Sequence, residues 1–309
     1  MNRIFLTIVL ILFFIVGYGQ QDTQFTQYMY NTINVNPAYA GSRGTTSIFA
    51  LRRMQWVGLD GAPVTNTASV NMPISESKVG LGFSIINDEI GPSEENNISV
   101  DFSYSIPASE EFKLSFGIKA TAGLLNIDFN KLNIDDANDY LFDKNIDNKF
   151  SPNVGLGIYL HSDKSYVGFS IPYMLETEHF DRYASTDANS HVAKDKMHCF
   201  LIAGYVFEMS PSVQFKPSML VKGVQGSPLQ VDLSANFLFN EKFTAGLAYR
   251  WSAALSAMVG FQATDSWFIG YGYDMETTEL ANYNAGSHEF FLRFELFNKY
   301  DRIISPRFF

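Results

Sequence analysis

His288-Glu289-Phe290-Phe291-Leu292-Arg293-Phe294-Glu295-Leu296 sets Phe290, Leu292, Phe294 and Leu296 on one side of an extended chain and Glu289, Arg293 and Glu295 on the other. Successive side chains of a strand point to opposite faces, so this stretch forms a ribbon with one apolar and one polar face. The same alternation recurs from about residue 43 to residue 297. Many such ribbons in one chain, behind an export signal, point to a β-barrel in an outer membrane.

Counting outward from that run gives about 14 alternating segments. The predicted strands are Thr45–Val57, Val64–Ile74, Lys78–Glu89, Asn97–Ile106, Phe112–Phe129, Ser151–His161 and Tyr166–Leu175, followed by Met197–Glu208, Val213–Val224, Gln230–Phe239, Lys242–Trp251, Ala254–Ala263, Trp267–Met275 and Ser287–Phe297. An even count is the rule for bacterial single-chain barrels. These lengths suit a tilted strand, which crosses a bilayer in about 9–11 residues. The connections alternate in length. Ser75-Glu76-Ser77, Ser162-Asp163-Lys164, Ser210-Pro211, Asn240-Glu241 and Thr264-Asp265 are tight, whereas 130–150, 176–196 and 276–286 are long. Outer-membrane barrels keep short turns in the periplasm and long loops outside, so both termini are expected in the periplasm.

The chain of 309 residues begins with Arg3, an apolar run Ile4–Val16 and Gly17-Tyr18-Gly19. That is the n-region, h-region and small-residue cleavage pattern of a secretory signal, with the mature chain expected to start near Gln20. No cysteine follows the h-region, which argues against a lipid anchor. The expected organisation is a signal at 1–19, a periplasmic segment at 20–43, the barrel at 44–297 and a periplasmic tail at 298–309.

Only 17% of residues are charged while 46% are hydrophobic and 15% aromatic, against about 25% charged in soluble domains. A barrel wall has this balance, since only alternate residues face lipid. The net charge of -10 argues against nucleic acid as a partner, since phosphate binding needs clustered Lys and Arg. Cys199 is the lone cysteine, so no internal disulfide forms. The pairs Gly80/Gly82, Gly155/Gly157 and Gly270/Gly272 lack the strand-then-helix context of a nucleotide loop. They read as small residues packed at the inner wall or opposite a bulky neighbour.

Asp135, Asp136, Asp139 and Asp143 crowd one long connection, and His179 and Asp181 lie in another, with His191 beyond. Calcium would suit clustered carboxylates, but the EF-hand spacing is missing. No closely spaced His or Cys pair marks a zinc site, and no GxSxG elbow marks a hydrolase. No cofactor, metal site or catalytic residue is expected, and these loop residues are candidates for gripping a partner. The segment containing Phe25, Tyr28, Tyr30, Pro37 and Tyr39 is too aromatic for a disordered tail. It is expected to pack on the periplasmic rim or inside the lumen, as is the ending with Arg307, Phe308 and Phe309.

Those interruptions also carry a family resemblance. Gln24-Phe25-Thr26-Gln27-Tyr28-Met29-Tyr30-Asn31, Asn36-Pro37-Ala38-Tyr39-Ala40-Gly41, Arg53-Met54-Gln55-Trp56-Val57-Gly58 with Gly61-Ala62-Pro63-Val64-Thr65, Gly286-Ser287-His288-Glu289 and the Ser305-Pro306-Arg307-Phe308-Phe309 ending resemble the PorP/SprF family. The resemblance implies an outer-membrane component of the type IX secretion system of Bacteroidetes. It implies a non-enzymatic role in export or surface anchoring of a large secreted protein, such as a gliding adhesin, by binding its C-terminal domain. Core secretion components are further implied partners. The alternation by itself fits a diffusive porin or a hydrophobic-solute transporter equally well.

Overall fold

The computed structural model describes residues 24–74, 78–132, 145–176 and 196–296. Its strands are β1 (Thr46–Met54), β2 (Val64–Pro73), β3 (Val79–Ile90), β4 (Ser93–Pro107), β5 (Lys113–Ile127), β6 (Ile146–His161) and β7 (Ser165–Ile171). They continue with β8 (His198–Tyr205, resumed at Phe207–Ser210), β9 (Val213–Val224), β10 (Gln230–Phe239), β11 (Phe243–Arg250), β12 (Ala254–Gln262), β13 (Trp267–Glu276) and β14 (Ser287–Leu296). Each pairs antiparallel with its sequence neighbours, and β14 pairs with β1, from Thr46 against Leu296 to Met54 against His288. The sheet is therefore a closed 14-stranded barrel, which leaves no unpaired sheet edge facing lipid. The crossing is made by strands; no described helix is long and apolar enough to span a membrane.

The alternation sorts as lipid outside and polar groups inside. On β14, Phe290, Leu292 and Leu296 are exposed while Glu289, Arg293 and Glu295 are buried. On β5, Phe116 and Ile118 face out while Ser115, Lys119 and Thr121 face the lumen. In β8 one register with β9 runs on both sides of Val206, whose N–H donates to the Lys164 carbonyl, so the two halves form one strand. The register shifts at Met209, a bulge beside the turn rim.

β9 and β10 coincide with the predicted strands, and most other ends fall within two residues of them. Three differ more. β4 begins at Ser93 rather than Asn97, and β6 at Ile146 rather than Ser151. Their first residues include Glu94, Glu95, Asn96, Asp147, Asn148 and Lys149, where the ladder continues although the side chains no longer alternate. β7 stops at Ile171, short of Leu175. Pro172 has no N–H to continue the ladder, and the Asn153 side-chain oxygen instead accepts the N–H groups of Met174 and Leu175, both at 2.9 Å.

One rim carries the tight turns, and the other carries the connections 55–63, 128–145, 172–197 and 277–286. The 91–92 and 251–253 links, also on this loop rim, are short. β3 to β6 have 12, 15, 15 and 16 residues, so the wall stands tallest there on the loop side.

Candidate functional site

The lumen is occupied by the chain's own N-terminal segment. Phe25 to Ala40 is buried throughout, with Ile33, Asn36 and Ala38 fully inaccessible. Of the two placements expected for Phe25, Tyr28, Tyr30, Pro37 and Tyr39, the structure shows the lumen. Arg307, Phe308 and Phe309 lie outside the described residues.

The segment runs the length of the lumen. Gln24 Nε2 donates to Asp232 Oδ2 at 2.7 Å, two residues into β10 from the loop rim. At the other end, Ser103 Oγ donates to the Ala40 carbonyl at 2.7 Å, and Ala40 meets Gly80, beside the start of β3 at the turn rim. Only the exit near Ala40–Gly44 lies at the turn rim; Gln24 to Gln27 lie at the opposite one.

Local sequence explains the path. Pro37 opens a short 3-10 turn, Pro37–Tyr39, capped by the Asn36 side chain, whose Oδ1 accepts the Ala38 N–H at 2.9 Å. The same amide's Nδ2 donates to the Ile158 carbonyl at 3.0 Å, locking the turn to β6. Gly41 then has φ +70, and a Cβ there would lie 2.8 Å from the Gly80 Cα; only glycine combines that backbone with that approach. Thr32–Val35 forms one helical turn, with Asn34 bonded to Thr67 at 3.0 Å and the Val35 carbonyl accepting Ser170 Oγ at 2.8 Å. Tyr30 packs on Phe291 with centroids 4.7 Å apart and on Phe268 at 5.6 Å.

The inner-wall glycines now have a reason. A Cβ at Gly117 would sit 2.1 Å from the Ala38 nitrogen, and one at Gly82 would sit 2.2 Å from Ile33 Cδ1. Gly270 instead makes room for the Phe291 ring. Gly117→Val would push against backbone and should destabilise the packed segment by roughly 1–3 kcal/mol. The expected readout is faster protease cleavage within residues 24–42, with the strands still protected.

The polar core of the site is a charge clamp at the loop rim. Glu289 accepts the N–H groups of Thr26 (2.7 Å) and Gln27 (3.2 Å) with its two oxygens. Asp274 Oδ2 accepts Thr26 Oγ1 at 2.7 Å. Arg53 NH1 bridges both carboxylates, 2.7 Å from Asp274 and in direct contact with Glu289. All three charged side chains are almost wholly inaccessible. Further along, Arg43 pairs with Glu295 and Lys119 with Asp101 at 3.0 Å. Charges this buried persist only when paired and hydrogen-bonded, so the clamp fixes the segment's register.

Outside the lumen, the 55–63 connection docks on its neighbours. Trp56, at φ 46, donates Nε1 to Glu276 at 2.8 Å and its N–H to Ser287 Oγ. The Val57 N–H reaches the Gly286 carbonyl at 2.9 Å, and the Gly91 N–H reaches Gly61 at 3.0 Å. Four stretches from the two ends of the chain thus meet at one rim: Gln24–Gln27 and Arg53–Gly61 with Asp274–Glu276 and Gly286–Glu289.

These are largely the stretches that carry the family resemblance, and the match extends well beyond them. The model of the type IX secretion system membrane protein PorP/SprF family matches residues 17–294. The chain belongs to the PorP/SprF family. No curated protein matches it significantly. Among solved structures, the CymD monoaromatic hydrocarbon channel is 12% identical over 91% of this chain and 96% of its own, with a TM-score of 0.47. The KdgM porin is 10% identical over 81% and 99%, with a TM-score of 0.37. A Pseudomonas aeruginosa FadL homologue is 12% identical over 81% and 88%, with a TM-score of 0.41.

For this PorP/SprF barrel, the loop candidates Asp135, Asp136, Asp139, Asp143, His179 and Asp181 lie outside the described residues. The base of the first loop is described and is tied down. Asp128 Oδ1 accepts the Asn130 N–H (3.1 Å), Asn130 Nδ2 (3.0 Å) and Asn145 Nδ2 (3.0 Å), while the Phe129 N–H donates to Asn145 Oδ1. The Asn130 side-chain hydrogen bond, aided by the other donors and Lys131, holds the Asp128 carboxyl below its usual range. A depressed carboxylate stabilises the fold above its unfolded pKa and loses that contribution as pH falls through the folded value. Protection of the Phe129 and Asn130 amides, measured against the intrinsic exchange rate at each pH, should therefore fall as pH drops below the usual carboxylate range, and Asp128→Asn should flatten that dependence. Among the described residues no three His, Cys, Asp or Glu side chains converge to hold a metal ion.

The buried pairs of the lumen escaped sequence reasoning. Their signal was present: charges on the polar face of an alternating run have either water or a partner inside a barrel, and Arg53, Asp274, Glu289 and Glu295 occupy such positions.

Proposed function

We propose that this PorP/SprF barrel is a plugged docking platform of the type IX secretion system rather than a diffusive pore. The observation that carries the reading is the filled lumen: Phe25 to Ala40 is buried between the walls and fixed by Glu289, Asp274, Asp232, Lys119 and Ser170. In the proposed orientation the turn rim faces the periplasm and the loop rim the cell exterior, the arrangement general to outer-membrane barrels. The loops bearing Asp135 to Asp143 and His179 to Asp181 grip the C-terminal domain of a large exported protein, such as a gliding adhesin, and support its export or surface anchoring. The role is non-enzymatic, in keeping with a family of secretion components.

Deleting residues 135–143 or 178–194 should release the secreted partner into the medium while the barrel still inserts. Fractionation of cells and medium checks this, and unchanged surface display after both deletions would overturn the loop assignment.

A further inference from the structure

The outer wall carries a feature that plugging and secretion leave unused. Outward-facing residues of β14, β1, β2 and β3 form two adjacent rows fixed by strand register. The row nearer the loop rim runs Phe290, Arg52, Asn66, Asn87, with Asn96 on β4. The next row toward the turn rim runs Leu292, Ala50, Ala68, Ile85. The polar-to-apolar boundary of this face thus falls between the rows.

Arg52 is held in place by a directional ladder. Its NH1 donates to Asn66 Oδ1 at 3.0 Å, Asn66 Nδ2 donates to Asn87 Oδ1 at 3.1 Å, and Asn87 Nδ2 donates to Asn96 Oδ1 at 2.9 Å and Glu94 Oε1 at 3.0 Å. Of the five N–H donors of a guanidinium, this ladder engages one of Arg52's. Directly below, Ala50 and Ala68 floor a groove of about 570 Å³, walled by Phe290, Leu292 and Ile269 on one side and Ile85 on the other. Beside Phe290, Tyr271 stands at the level of the Arg52 row, and its hydroxyl is hydrogen-bonded at 2.8 Å to Nδ1 of His288, one row nearer the loop rim.

We infer that this groove is a binding site for one phosphorylated lipid A molecule of the outer leaflet, with an acyl chain lying over Ala50 and Ala68 and a phosphate on Arg52. The charge argument is direct. A cation at the hydrocarbon boundary of a lipid-facing wall is complementary to an anion at headgroup level, and a guanidinium fork matches phosphate oxygens bidentately. The shape argument is independent of it. Two alanines between large apolar side chains leave a trough that only an apolar chain fills in a membrane. The choice of lipid A over a glycerophospholipid follows from the loop rim facing outward, and in that clause rests on the orientation proposed above.

The test is native mass spectrometry of the full-length detergent-solubilised protein titrated with lipid A, and separately with phosphatidylglycerol. The wild-type barrel should retain one lipid A, more tightly than phosphatidylglycerol. Arg52→Gln removes a charge-assisted contact and Ala68→Phe fills the trough; each should weaken retention about tenfold. Leu247→Phe, on the outward face of β11 and four strands away from β1, should leave it unchanged. Equal retention by all four proteins, no retained lipid, or phosphatidylglycerol binding as tightly as lipid A would overturn the assignment. Lipid retention is read without any secretion assay, so loss of the platform reading and loss of this site are separate results.

Discussion

Deleting residues 24–41, with residues 1–23 joined to Ser42, is expected to turn a silent barrel into a conducting one. The wild-type lumen is filled along its length, from Gln24 against Asp232 to Ala40 against Ser103. Removing that segment leaves an inner wall of Ser, Thr, Asn and charged side chains around a smaller aromatic patch at Phe49, Phe268 and Phe291, which water and ions will enter. In planar bilayers the wild type should give no steady steps, and the deletion should give steady openings of constant amplitude. The strands keep their outward apolar face and their closed ladder, so insertion should survive. Steady conductance by the wild type would instead support the porin or solute-transporter reading.

Glu289→Ala should be among the most destabilising single changes in the chain. It removes the acceptor of two backbone N–H groups of the plug and one of the two carboxylates on Arg53. Arg53 keeps Asp274 as a partner, so the main loss is the acceptor of two buried N–H groups, at about 1–3 kcal/mol each, on top of a weakened charge cluster. The expected result is a lower unfolding midpoint for the purified barrel together with earlier exposure of residues 24–31 to protease. Glu289→Gln keeps an oxygen acceptor at the same place and should fall between the two. Equal unfolding midpoints for Glu289→Ala and wild type would show that the clamp does not hold the plug.

The sequence made the wall legible because lipid imposes its period on every second residue, as β14 shows with Phe290, Leu292 and Leu296 outside and Glu289, Arg293 and Glu295 inside. Legibility failed where that constraint ends. β4 and β6 run on through Glu94, Glu95 and Asp147, beyond the reach of any alternation. The segment from Phe25 to Tyr39 announced itself by its aromatics, but its direction through the lumen did not. The pairing of Arg53 with Asp274 and Glu289 joins residues more than 200 positions apart. A polar inner face reads the same in one dimension whether it meets water or another piece of chain. The inner-wall glycines carried half of the answer: Gly82 and Gly117 are small because the plug touches them, which their spacing alone did not separate from a bulky cross-strand neighbour.

The most direct test is cross-linking inside the barrel in intact cells. Asn34 and Thr67 are bonded at 3.0 Å across the lumen, and Cys199, the only native thiol, can be replaced by serine. In that background Asn34→Cys with Thr67→Cys should be joined by a short thiol-specific cross-linker in most of the outer-membrane protein, with the linked peptides identified by mass spectrometry. Two free, separately alkylated thiols in the folded barrel would contradict a lumen filled by its own N-terminal segment.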